Sequence, residues 1–158
     1  MRSKQIAAAA VAALAVAVAP VGAGAQDAAP AESGATVVSK KVNRNKAGTK
    51  ATLKVKYTCS QSTHLWVSLK QSKNGKKDPA LKAEGSSQAA ATWLDSHRNK
   101  FTCDGKPHTQ RFSVDKVEPG KKGKLRKGYA WLQFCLTYGD TEENSGIEVY
   151  KLGWVKVK

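Results

Sequence analysis

Acidic side chains are scarce in this 158-residue chain: 12 Asp and Glu stand against 27 Lys and Arg, a formal charge of +15. The shortage bears on catalysis by paired carboxylates, as in glycoside hydrolysis. Its acids would have to come from Glu142, Glu143 or Glu148, in or beside one polar loop. Histidine is also rare. His64, His97 and His108 stand apart without the ligand spacing of a zinc site, so neither a metal nor any other cofactor is implied. There are three cysteines, Cys59, Cys103 and Cys135, which permit one intramolecular disulfide and leave one thiol over. A second long apolar run is missing as well. The single one, Ile6–Ala19, is too short to span a bilayer core of roughly 30 Å comfortably.

That run has the flanks of an export signal. Arg2 and Lys4 precede it, and Pro20-Val21-Gly22 leads to the small-x-small site Ala23-Gly24-Ala25. Residues 1–25 are therefore expected to be a cleaved signal peptide and the protein to be secreted, with no transmembrane segment after cleavage. Loss of Arg2 and Lys4 would bring the charge from +15 to +13. An excess of that size points to an anionic neighbour, or more blandly to solubility. Residues 26–34 (QDAAPAESG) are small, polar and Pro-containing, the composition of a disordered lead-in.

From residue 35 to 158 the pattern is that of one β-domain. Ala35–Val42 predicts a first strand. Ala51, Leu53, Val55, Tyr57 and Cys59 alternate with Thr52, Lys54, Lys56 and Thr58, the clearest strand of the chain. Leu65–Gln71 and His108–Val117 alternate likewise. Tyr129–Tyr138 is apolar on both parities, as in a central strand, with Ala130, Leu132, Phe134, Leu136 and Tyr138 as the stronger core set and Cys135 turned outward. The last strand runs from Ile147 to Val157, with Ile147, Val149, Val155 and Val157 inward and an irregularity near Gly153. Ser72–Thr102 is the least legible stretch, and its Ala89–Leu94 segment reads as a short helix or an edge strand. Six or seven short strands without a strong helix predict an antiparallel β-sandwich.

Three stretches, TLKVKYTCSQSTHLWVSLKQ (52–71), CDGKPHTQRFSV (103–114) and KGYAWLQF (127–134), resemble small secreted immunoglobulin-like domains of uncharacterised function from actinobacteria. The resemblance covers most of the chain after the leader and implies fold and location, not activity. It also implies that the first two cysteines pair, here Cys59 and Cys103. Strand parity disfavours a Cys59–Cys135 bridge, because Cys59 points inward and Cys135 outward.

Two surfaces are candidate binding sites. The outward residues of three strands that should share a sheet include Trp66, Tyr129, Trp131, Tyr150 and Trp154. Such a face either recognises a ligand by ring stacking, is a second core covered by Ser72–Thr102, or joins two copies, with Cys135 available for an intermolecular bond. The other candidate is the basic loop Lys121, Lys122, Lys124, Arg126 and Lys127. Nucleic acid is disfavoured there, since no stacking aromatic is in register with the lysines. A thiolate–imidazole pair of Cys135 with His108 or His64 would make a thiol-dependent enzyme, but no local signature supports it. The expected function is non-catalytic binding of an anionic polymer or polysaccharide of the cell envelope, or, alternatively, of an extracellular protein.

Overall fold

A computed structural model describes residues 32–37, 41–83, 88–141 and 144–158. The expected signal peptide, most of the lead-in, and Glu142 and Glu143 lie outside the described residues. The described residues are mostly β: β1 (Gly34–Val37), β2 (Lys41–Arg44), β3 (Ala51–Thr58), β4 (His64–Gln71), β5 (Thr92–Arg98), β6 (His108–Val114), β7 (Lys116–Val117), β8 (Gly128–Tyr138) and β9 (Gly146–Val157). One 3-10 turn, Pro79–Lys82, is capped by the Asp78 carboxylate, which accepts from the Ala80 amide.

The strands form two hydrogen-bonded sections. β3 pairs with β1 on one side and β6 on the other, all antiparallel. β9, β8, β4, β5 and β7 follow one another in the second section, again antiparallel. β2 joins the two, antiparallel to β3 through Asn43 and Arg44 and parallel to β9 through Lys41 and Val42, so the whole is a mixed sheet. The first strand expected over 35–42 is thus two elements, both paired with β3, of which β2 also pairs with β9. The strand expected over 108–117 also breaks, at Asp115, because β7 pairs with β5 while β6 pairs with β3. Of Ala89–Leu94, residues 89–91 are turn and bend and Thr92–Leu94 open β5, so the segment leads into a strand inside the sheet and not a helix.

The inward positions, two residues apart along the strands, build the main core. Leu53, Val55 and Tyr57 of β3 and Phe112 and Val114 of β6 meet Leu65, Val67 and Leu69 of β4 and Ala130, Leu132, Phe134 and Leu136 of β8. Phe112 and Phe134 touch ring to ring at 5.5 Å. Cys59 and Cys103 are bridged, with Cα atoms 4.9 Å apart.

The irregularity of the last strand falls elsewhere than expected. Register shifts between Leu136 and Thr137: Leu136 faces Val149, but Thr137 faces Ile147, so Glu148 is the extra residue of a bulge. Past it the parity inverts. Val149, Val155 and Val157 are buried, whereas Ile147 is 60% exposed, which corrects its expected inward position.

Candidate functional site

A cavity of about 770 Å³ opens where β4 ends, β5 begins and the loop before β8 passes by. Its walls carry Lys73, Lys121, Lys122, Lys124 and Arg126, with no carboxylate among the described lining residues. The loop is fastened at several points. The Gln71 side chain acts as a peptide group: its Oε1 accepts from the Arg126 amide (2.8 Å) and its Nε2 donates to the Arg126 carbonyl (2.9 Å). Thr92 Oγ1 donates to the Lys124 carbonyl (3.1 Å), and the Leu125 amide donates to the Gly48 carbonyl (2.9 Å). Gly48 has φ +78°, and a Cβ there would collide with the Leu125 carbonyl, so both the turn and the close approach require glycine. Leu125 is buried while Lys124 and Arg126 on either side are exposed. One apolar anchor inside a basic run therefore aims its neighbours outward.

Four of the five loop cations expected from the sequence reach this cavity, and Lys127 does not. Lys73 joins them unforeseen. It follows β4 by two residues, and nothing in its local pattern links it to a loop about 50 positions later. No ring is among the described residues that line the cavity, so these offer charge and hydrogen bonds without a stacking platform.

The outward side of β4, β5, β8 and β9 is built in cross-strand rows. His97, Trp66, Cys135 and Tyr150 form one, Asp95, Ser68, Gln133 and Leu152 the next, and Trp93, Lys70, Trp131 and Trp154 the third. Residues after β4 cross over the third row. Leu81 and Ala90 bury Trp131 to 8% exposure, and Trp93, Leu152 and Trp154 pack around them. Trp131 meets Trp154 edge-on at 5.2 Å, Lys82 Nζ lies 5.8 Å from the Trp131 ring, and Lys77 Nζ lies 4.8 Å from the Tyr129 ring. Trp66 and Trp154 are half-buried, and Tyr129 and Tyr150 are exposed. The face is a second small core at its centre, open at the Tyr150 end. In the middle row Ser68 and Gln133 are buried, and Ser68 Oγ and Gln133 Oε1 have no hydrogen-bond partner among the described residues.

Cys135 lies outside the disulfide and is 4% exposed, in the row between Trp66 and Tyr150. An intermolecular bond through it would require this part of the sheet to open. His97 stacks on Trp66 (6.2 Å), which separates it from Cys135, and His108 pairs with Asp104 at 2.6 Å. The His108 hydrogen bond, with that of the Lys106 amide, holds the Asp104 carboxyl below its ordinary value.

The Glu148 carboxylate stands against the disulfide, within 4.8 Å of both sulfurs. Its oxygens are taken by donors: Ser60 N (2.6 Å), Ser60 Oγ (3.0 Å), Ser33 Oγ (2.9 Å), Gln61 N (3.2 Å) and Ser62 Oγ (2.5 Å). With the sulfurs bonded to each other and the carboxylate saturated, the group ties loops together rather than offering ligands. Burial raises the Glu148 pKa, but these donors outweigh it and hold the carboxyl at about 2. A depressed pKa stabilises the fold above the ordinary value of 4.5 and loses that contribution as pH falls toward 2. Thermal unfolding of the wild type and Glu148→Gln should differ by roughly 1 kcal/mol at pH 6, a figure discounted for solvent screening. The gap should close between pH 4.5 and 2. A difference independent of pH would show that the carboxylate charge is not what the donors hold.

Comparison with protein-family models and with curated proteins found no match.

Proposed function

We propose that this protein is a secreted, non-catalytic binding protein that attaches to anionic polymers of the cell envelope or its surroundings through the basic cavity. The observation that carries the reading is the arrangement of five cations around one cavity, with no carboxylate among the described residues that line it. Hydrogen bonds from β4 and β5 hold the backbone beneath them. Fixing the loop before binding reduces the ordering that binding must otherwise enforce. The leader-like residues 1–25 and the disulfide support an exported location. The two sheet sections sharing one core, with Cys59 bridged to Cys103, support reading the domain as an immunoglobulin-like sandwich of the actinobacterial secreted type.

The test is co-sedimentation of the mature protein with isolated bacterial cell walls across a salt series. Wild-type binding should fall steeply with salt. The variant Lys121→Gln/Lys122→Gln/Lys124→Gln/Arg126→Gln should bind about a hundredfold more weakly at low salt, taking each exposed charge contact at somewhat under 1 kcal/mol. Equal binding by variant and wild type would refute the cavity as the attachment site.

A second reading, a protein–protein module, draws on the exposed Ile147 and Tyr150 beside the half-buried Trp66. Wall-independent binding to a protein, persisting at high salt, would favour it.

A further inference from the structure

We infer that the outward face of β3 and β6 is a second docking surface for an anionic polymer, so that one molecule joins two polymer strands. This inference rests on the cavity being a polymer site, and it concerns different residues. Lys54 lies directly opposite Arg111 in the antiparallel register, and Lys56 lies opposite Thr109. All three cations are exposed. The remaining outward positions, Thr52, Thr109 and Ser113, carry only hydroxyls. Like charges placed directly across a strand pair oppose each other and weaken the pairing. The sheet tolerates this without an internal counter-charge: among the described residues, Lys54, Lys56 and Arg111 form no ion pair within 4.0 Å. The acids at the two ends of the strands are engaged elsewhere, Asp115 with Lys50 at 3.7 Å and Asp104 with His108 at 2.6 Å. Glu32 lines a shallow pocket beside Lys56 without forming an ion pair to it.

Directly opposed side chains start about 5 Å apart across strands, and Lys54 and Lys56 about 7 Å apart along β3. Such a triangle of cations among hydroxyls suits a chain carrying repeated anionic groups better than a single ion, which would need a concave seat. No aromatic stands on the face, so bases would have nothing to stack on. The bland alternative is that cations on β6, an edge strand, discourage edge-to-edge pairing of copies.

The experiment mixes the mature protein with a long linear polyphosphate and reads affinity by tryptophan fluorescence and bridging by light scattering. Lys54→Gln/Lys56→Gln/Arg111→Gln is compared with Lys46→Gln/Lys100→Gln/Lys151→Gln, three exposed lysines outside both surfaces that remove the same charge. Wild type and control should scatter strongly at intermediate polymer ratios and clear in polymer excess. The face variant should keep its affinity within about threefold through the cavity while scattering drops about tenfold. Equal loss in control and face variant would mean that bulk charge suffices and would overturn the inference. So would self-association of the face variant without polymer, the signature of edge protection. The cavity variant separates the two readings. If it keeps wild-type affinity while the face variant loses binding, the cavity reading fails and bridging falls with it.

Discussion

Replacing Cys59 and Cys103 together by serine should lower the free energy of unfolding by about 4 kcal/mol, the chain-entropy value for a loop of this size. The bridge spans 44 residues of sequence, which include β4, β5 and the segment that covers Trp131. Cys59 is fully buried, and Cys103 and Phe101 pack against the same core. The 101–105 segment has further fastenings: the Tyr57 hydroxyl donates to the Thr102 carbonyl (3.0 Å), the Gly105 amide donates to the Cys59 carbonyl (2.7 Å), and Phe101 meets Tyr57 edge-on at 6.4 Å. These contacts survive in the serine variant, so the loss should appear chiefly as greater freedom of the unfolded chain. Urea unfolding should show a lower midpoint with an unchanged or larger slope. The cavity is built from other residues, so polyphosphate affinity of the folded variant should stay near that of the wild type. A loss below about 1 kcal/mol would show that the bridge constrains little beyond what the core already fixes.

The second large effect should come from Leu81→Ala, at about 3 kcal/mol. Leu81 lies in a short 3-10 turn, outside the main core, and a loop residue of that kind would ordinarily be replaced at little cost. Here it is fully buried over Trp131 and Ala90. Truncation removes three heavy atoms from a site walled by rings, which cannot collapse easily to fill the gap. Trp131 should then meet water, so its emission should move to longer wavelength along with the fall in stability. A stable variant with unchanged emission would mean that the crossing segment lies on the sheet without being part of its packing.

Strand content was legible because alternation is strong where one face is wet, as in Ala51–Thr58, and because a run apolar on both parities, Tyr129–Tyr138, marks a strand covered on both sides. Parity also turned Cys135 away from the main core. What parity cannot express is whether an outward side chain meets solvent. Ser68 and Gln133 are polar, point away from the main core and are nevertheless buried, because packing over the outer face, which strand periodicity does not encode, sets their exposure. Glu148 was hidden for a related reason. A period of two shared by Ile147 and Val149 sets Ile147 inward, and only the extra residue opposite Leu136 and Thr137 frees the carboxylate to reach Ser60 and Ser62. In the cavity, the basic loop stood out as a charge run, but Lys73 depends on how β4 and the loop before β8 converge, a long-range consequence of sheet order.

The double allegiance of β2 bears on how the domain responds to force. Lys41 and Val42 run parallel to Lys156 and Val157, and the Lys158 amide donates to the Val42 carbonyl (3.0 Å). Tension applied before β2 and after β9 pulls these parallel neighbours in opposite directions along their length. Their hydrogen bonds are then sheared together instead of being peeled one at a time. A domain holding a polymer at one end and tethered at the other would resist extension at this seam first, before the core between the sheets is disturbed.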